Sequence, residues 1–305
     1  MLDLVNVVET TRVRTPAATA RTSMSRVPLE SPCPEPQTSC LVCASMYRMT
    51  LVSSLGATIS IQSVTKAYPK TVALDHVDLK VTPGEVMGLV GPNGSGKTTL
   101  LLCAAGLLAS DSGNVSILGH DVVTDAQAAH RNLIFIPELP QPFSFLTPME
   151  HLRFTARAFG LAEGWETRAD QLLKDLALDD KKLSLSFELS KGQRQKIHLA
   201  MGMLRAPPVL LLDEPLIGID PKGGLLLKQW IRSTTAAGGS VLVSSHSLAL
   251  IEQVCQRVAI LRKGKLLACG SIPELRTRAR ADPQSSFDEV FVSLTESSEG
   301  PAQYL

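Results

Sequence analysis

The chain has 305 residues, of which 44% are hydrophobic, 19% charged and only 4% aromatic. Lys and Arg number 30 against 29 Asp and Glu, a net charge of +1, which argues against the basic excess of a dedicated nucleic-acid binder. No apolar run reaches the roughly 18 residues that span a bilayer, so a membrane-spanning helix is ruled out while membrane association is not.

Residues 1–55 differ from all that follows. Thr15–Ala20 and Ser31–Pro36 have no periodicity and too little apolar content to fold alone. The segment lacks the apolar centre of a secretory signal and reads as an extension without structure of its own. Cys40 and Cys43 form a C-x-x-C with Cys33 nearby, but a zinc site needs a second pair or histidines, and the first histidine is His76. Cys103, Cys255 and Cys269 sit in apolar patterns and read as small core residues. Nothing demands an oxidising compartment, so the cytoplasm is the default.

From Thr58 the pattern becomes regular. Ile59 and Ile61 alternate with polar residues, as do Val77, Leu79 and Val81, which predicts antiparallel strands. Pro83-Gly84 turns into a buried strand over 85–90. A helix follows over 98–108, then a strand over 115–118. The stretch from 143 to 205 is helical, opened by a cap at Thr147 with Pro148 and Glu150 behind it. Beyond it, strands at 209–213 and 240–244 alternate with helices at 221–236 and 248–255. A hairpin over 258–268 turns at Lys263-Gly264. Strands alternating with helices imply an α/β fold with a mostly parallel sheet. An antiparallel β subdomain precedes it, and the helical block is inserted within it. The residues after Asp282 read as a loosely attached tail.

Between the buried strand and its helix lies Gly91-Pro92-Asn93-Gly94-Ser95-Gly96-Lys97-Thr98, followed by Thr99. This is G-x-x-x-x-G-K-[ST] in its required strand-to-helix setting. Its glycines let backbone N–H groups surround phosphate oxygens, and the helix start adds a positive end. Lys97 then reaches the β- and γ-phosphates and Thr98 offers a hydroxyl to Mg²⁺. Alone, this loop says only nucleoside triphosphate. Val209–Leu212 is an apolar strand closed by Asp213 and Glu214. Asp213 is placed to hold Mg²⁺ and Glu214 to polarise an attacking water. His246 follows another apolar strand, at the kind of edge where ligands bind.

Leu189-Ser190-Lys191-Gly192-Gln193 is the discriminating element, 23 residues separating Ser190 from Asp213. Ser190 is a helix cap with Gln193 at its third position. The run resembles the Leu-Ser-Gly-Gly-Gln signature of ATP-binding cassette (ABC) transporter ATPase subunits, and the resemblance covers about residues 57–278. It implies that Tyr68 stacks on adenine and that Gly91–Thr99 bind the phosphates. It implies further that Asp213 is the magnesium-holding aspartate and Glu214 the base, with His246 sensing the γ-phosphate. Ser190, Gly192 and Gln193, and Asp220 in Ile217–Asp220, would meet the nucleotide of a second cassette. Two sequence departures stand out. Glu138 replaces a magnesium-contacting glutamine, with Gln141 three residues on as the alternative. Lys191 replaces the first signature glycine.

The resemblance implies ATP and Mg²⁺ as cofactors and a second ABC ATPase subunit, identical or homologous, as partner. It also implies a separate membrane permease, with this chain peripheral on the cytoplasmic face. The segment from Glu138 to Leu146, with Phe143 and Phe145, and the helices to 185 would dock that permease. Glu138, the Ser-Lys-Gly-Gln run and Arg257–Gly270 resemble export cassettes more than importers. The competing reading is a non-transport cassette ATPase of translation or repair, disfavoured by the single phosphate loop. A GTPase is disfavoured by the lack of Asn-Lys-x-Asp.

Overall fold

Alternation is the first pattern to become structure. In a computed structural model, which describes residues 58–282 and 285–296, β1 (Ile59–Tyr68) pairs antiparallel with β2 (Thr71–Val81). Ile59 lies opposite Val81 and Ile61 opposite Leu79, so both strands turn their apolar residues to one face. Adding β4 (Ser112–Ile117) and the short β5 (His120–Asp121) completes a four-stranded sheet ordered β2-β1-β4-β5. The reading of residues 1–55 as an extension, and the cysteines within it, fall outside the described residues.

The second sheet is parallel apart from one edge. β3 (Val86–Val90), β6 (Leu133–Ile136), β7 (Val209–Asp213), β8 (Ser240–Ser244) and β9 (Arg257–Arg262) run parallel in the order β9-β3-β8-β7-β6. β10 (Lys265–Gly270) joins as an antiparallel edge through the predicted turn. Its central strands β3, β8 and β7 are buried throughout, and apolar but for Asp213, Ser240 and Ser244, because both faces are covered. Val86, Leu210, Val241 and Val258 pack into one core, and Met87, Leu211, Leu242 and Ala259 into the other. Burying each such side chain contributes about 1.5–3 kcal/mol. This sheet is where the stability of the site's framework originates.

Helix α1 (Lys97–Ala104) leaves the carboxyl end of β3 and packs in the core shared with the antiparallel sheet. It is shorter than predicted. Gly106 adopts a left-handed φ of 67°, and the Leu107 N–H returns to the Leu102 carbonyl. That is the closing geometry a glycine supplies at a helix end. Helix α2 (Ala126–Asn132) leads into β6, neither of which the alternation reveals.

The helical block is α3 (Pro148–Ala158), α4 (Trp165–Asp175) and α5 (Lys191–Arg205). The Thr147–Glu150 capping box forms as predicted. On α5, Ile197, Leu199, Ala200, Met203 and Leu204 are all buried, as the apolar pattern requires. Helices α6 (Pro221–Ala236) and α7 (Leu248–Val254) cover the parallel sheet beside α8 (Ile272–Arg278). Cys103 is buried, whereas Cys255 and Cys269 are half-buried.

The loosely attached tail is a correction. Residues 287–296 form helix α9 (Phe287–Glu296), with Phe287, Val290 and Leu294 buried in the main core. Their i, i+3, i+7 spacing is an amphipathic stripe. Ser286 and Glu289 exchange hydrogen bonds that cap the helix start.

Candidate functional site

The strand order puts β8 between β3 and β7. The carboxyl ends of three parallel strands therefore bring the glycine-rich loop, the two acids and His246 to one edge, where open α/β sheets bind ligands.

In the loop, Pro92, Asn93 and Gly94 are exposed at the crest, while Ser95 is buried. Gly96 sits at φ 107°, and a Cβ there would lie 2.4 Å from the Ala73 carbonyl. Only glycine fits that approach of β2 to the loop. No side chain caps α1, so its first-turn N–H groups remain available to phosphate oxygens. The Lys97 ammonium donates to the carbonyls of Gly91 at 2.7 Å and Pro92 at 3.3 Å. Thr98 is exposed and Thr99 half-buried on the first turn. Burial draws the Lys97 ammonium below its ordinary pKa, against the opposing fields of Glu214, Asp213 and Glu138. One cation thus feels all three acids that the sequence singles out.

Asp213 is only 1% exposed and Glu214 8%. Buried carboxylates need hydrogen bonds, and at this edge Ser244 provides the one to Asp213. Its hydroxyl donates to Asp213 Oδ1 at 2.5 Å and accepts from the Glu214 N–H at 3.1 Å. Glu214 has a left-handed φ of 47°, a conformation costing about 1–3 kcal/mol outside glycine. His246 is largely exposed, and its Nδ1–H donates to Glu214 Oε2 at 2.8 Å. The base candidate is therefore aimed from both sides, by backbone and by imidazole. Ser244 is the residue that sequence reasoning missed. Its signal is a hydroxyl ending the strand between the loop strand and the acid strand.

Glu138, half-buried, acts electrostatically on Lys97, whereas Gln141 is exposed. Among the described residues no cluster of three His, Cys, Asp or Glu side chains could hold a metal unaided. The oxygens of Asp213, Glu138 and Thr98 are nonetheless the hard donors that suit Mg²⁺, an ion that takes few protein ligands and completes its shell with phosphate and water.

A second group of residues lies on the surface. Ser190 Oγ accepts from the Gln193 N–H at 3.2 Å, while Gln193 Oε1 accepts from the Ser190 N–H at 2.9 Å, capping α5. A Cβ on Gly192 would lie 2.1 Å from the Gly218 carbonyl, so the helix start seats directly on the loop after β7. Lys196 Nζ donates to Asp220 Oδ2 at 2.6 Å, and Asp220 Oδ1 accepts from the Gly223 N–H. Lys196 and that amide hold the Asp220 carboxyl below its usual range. Among the described residues no hydrogen bond or ion pair joins Ser190, Gln193 or Asp220 to the phosphate loop. Tyr68 ends β1 at 46% exposure, on the hairpin whose second strand touches Gly96.

The segment between β6 and α3 carries exposed aromatics. Phe143 stacks on His151 at 5.9 Å and meets Phe154 edge-on, and Phe145 meets Phe187. Gln195 on α5 donates to the Pro137 carbonyl at 3.3 Å, tying this segment to the helix of Ser190.

Comparison with known proteins places this geometry. The family model described as ABC transporter matches residues 74–217. The chain is 31% identical over 243 residues to the ABC-type transporter ATP-binding protein EcsA of Bacillus subtilis, spanning 79% of this chain and 98% of that protein. It is 32% identical over 225 residues to the SkfA peptide export ATP-binding protein SkfE of the same organism, spanning 72% and 92%. A solved structure of an ATP-binding subunit of an ABC transporter superposes with a TM-score of 0.74 at 32% identity, covering 78% of this chain and 99% of that one.

Proposed function

The chain belongs to the ABC transporter family, as an ATP-binding subunit with ATPase activity, and we propose that it drives export through a separate membrane permease. The observation that carries the site assignment is the convergence of Lys97, Asp213, Glu214 and Glu138 at one sheet edge. Export is supported by the resemblance to the peptide-export protein SkfE. Among the described residues no helix is long and apolar enough to cross a membrane, which fits a permease on another chain.

In this reading the loop amides of Gly91–Thr99 bind the triphosphate and Tyr68 stacks on the adenine. Lys97 exchanges the Gly91 and Pro92 carbonyls for β- and γ-phosphate oxygens. Thr98, Asp213 and Glu138 hold Mg²⁺, which supplies charge neutralisation at the phosphates. Glu214 accepts a proton from the attacking water, and His246 keeps that carboxylate aimed while meeting the γ-phosphate. Ser190, Gly192, Gln193 and Asp220 act on the nucleotide of a second cassette, so that two chains close over two ATP molecules. Closure is a two-state motion biased by the γ-phosphate.

Phe143 and Phe145 form the permease contact, on the cytoplasmic face. The test is co-expression with the multi-span permease encoded nearest to this chain, followed by detergent extraction and size-exclusion chromatography. The two should elute together with ATPase activity. F143S/F145S should abolish co-elution while leaving the ATP turnover of the isolated chain intact. A wild-type chain that never co-elutes with a permease, yet hydrolyses ATP, would favour the non-transport cassette reading.

A further inference from the structure

The three acids at the carboxyl edge are not held alike. Asp213 and the Glu214 backbone are fixed through Ser244. Glu138 acts on Lys97 through space. Yet among the described residues its carboxylate accepts no hydrogen bond and its N–H donates none. It sits in a segment where Pro137, Pro140 and Pro142 have no N–H to offer. Among the described residues, the only hydrogen bond that a side chain makes to residues 137–141 comes from Gln195, whose Nε2 donates to the Pro137 carbonyl at 3.3 Å.

Gln195 is itself anomalous. It is 1% exposed, on a helix whose Ile197, Leu199 and Ala200 are also buried, and its Oε1 has no hydrogen-bond partner. A buried amide oxygen without a donor is costly, whereas an apolar side chain of the same size is neutral or better for stability. Turning the amide over does not help, since that sets Oε1 against the Pro137 carbonyl. Packing therefore does not account for a glutamine here.

The neighbouring backbone does. β6 is a parallel strand that ends at Ile136. Where such a chain continues extended, the carbonyl of one residue and the N–H two residues on point to the same side, because a parallel neighbour bonds to both. With Glu138 extended, the Pro137 carbonyl and the Leu139 N–H form that pair. The Leu139 N–H donates to no described residue, and a residue before proline, as Leu139 is, favours the extended region. One glutamine amide offers the matching donor and acceptor.

We propose that Gln195 is a positioning residue for Glu138: it grips the Pro137 carbonyl and the Leu139 N–H on either side and so aims the Glu138 carboxylate at Mg²⁺. The first of these two bonds is made in this structure. The second forms when Glu138 is drawn to the metal. Because Gln195 and Ser190 belong to one helix start, placing Glu138 and presenting the Ser190 surface become parts of one movement. The inference rests on the reading of Glu138 as a magnesium contact.

The test measures binding of a fluorescent, non-hydrolysable ATP analogue to the full chain as Mg²⁺ is titrated, with EDTA as the baseline. Q195M removes both bonding atoms and keeps the volume. It should raise the Mg²⁺ concentration for half-maximal binding by roughly 2- to 12-fold, the weight of one neutral hydrogen bond. Affinity in EDTA should be unchanged, which also checks folding. The melting temperature should equal or exceed that of the wild type, because the unpartnered oxygen is gone. A merely structural glutamine would lower it and leave the Mg²⁺ requirement alone. E138A should raise the requirement too, and Q195M added to E138A should shift it no further. An unchanged Mg²⁺ requirement in Q195M, or a shift of the same size with Glu138 already removed, overturns the inference. E138A without effect overturns instead the magnesium role of Glu138, and the purpose of Gln195 falls with it.

Discussion

The carboxyl edge of the parallel sheet and the surface around Ser190 are built on opposite terms. At the edge, Asp213, Glu214 and Ser244 are buried and bonded to one another before any ligand arrives. Around Ser190, the cap, the seat of Gly192 on Gly218 and the Lys196–Asp220 pair are equally well made. Yet among the described residues none of them bonds to the phosphate loop. The first region is a complete charge arrangement within one chain. The second is a rigid surface with its bonding directed to its own helix and the adjoining loop, the form expected of a piece that works against another chain. Binding and chemistry should therefore separate from assembly when each region is altered.

The largest effect is expected from Lys97→Ala. It removes the loop cation on which the fields of the three acids act. A charge-assisted hydrogen bond is worth about 1.5–3 kcal/mol, so ATP affinity should fall roughly 10- to 150-fold and turnover should reach background. Fluorescent-nucleotide binding and phosphate release measure the two. Retained wild-type turnover would break the assignment of the loop.

Glu214→Gln sharpens the comparison because it touches chemistry and leaves binding alone. The amide keeps the size and can still meet His246, but it cannot take the proton from water, a role worth about 10²–10⁴ in rate. ATP affinity should stay unchanged, and an ATP-dependent dimer should persist on size-exclusion chromatography. Wild-type hydrolysis by this variant would move the base to His246 or Glu138. Lost turnover without a dimer would point to the Ser190 surface, with Lys191 the first residue to examine.

How much of this was legible follows the same division. Motifs defined by backbone need, such as glycines before a helix or acids closing an apolar strand, could be read because spacing alone specifies them. The helix over 221–236 and the strands at 209–213 and 240–244 form at the predicted residues. Three-dimensional neighbours were not readable. Ser244 meets Asp213 only because β8 inserts between β3 and β7, an order that no local pattern encodes. Helix α9 escaped because its stripe of Phe287, Val290 and Leu294 is short and blurred by Phe291 and Val292, and only packing on the main core makes it visible. The early stop of α1 was readable at Gly106 and was overridden by the apolar run through Leu108.

Tyr68 tests the boundary between the two regions, being exposed yet next to the loop. Aromatic stacking on a base is worth about 1–3 kcal/mol by alanine substitution. Tyr68→Ala should weaken ATP by roughly 5- to 150-fold, and Tyr68→Phe should leave it intact. Equal loss for tripolyphosphate, which has no base, would show that the tyrosine supports the loop instead.

Ser190 should give the smallest change in the isolated chain, and it separates two roles carried by one hydroxyl. As a helix cap it accepts from the Gln193 amide, and alanine there should lower stability by about 1 kcal/mol, whereas glycine should cost only a few tenths. As a contact to the partner's nucleotide, the hydroxyl is lost equally in both variants. Thermal unfolding should therefore rank wild type, Ser190→Gly and Ser190→Ala in that order. ATP affinity of the monomer should not change in either, since no bond joins Ser190 to its own phosphate loop. Turnover decides between the roles. If it falls alike in both variants, the hydroxyl acts across the dimer, and the surface is the second half of the site. If turnover instead follows the stability ranking, with glycine near wild type, Ser190 only holds the start of α5. The contact to the opposite nucleotide would then come from the helix amides, which Lys191 and Gly192 present without any side-chain hydroxyl.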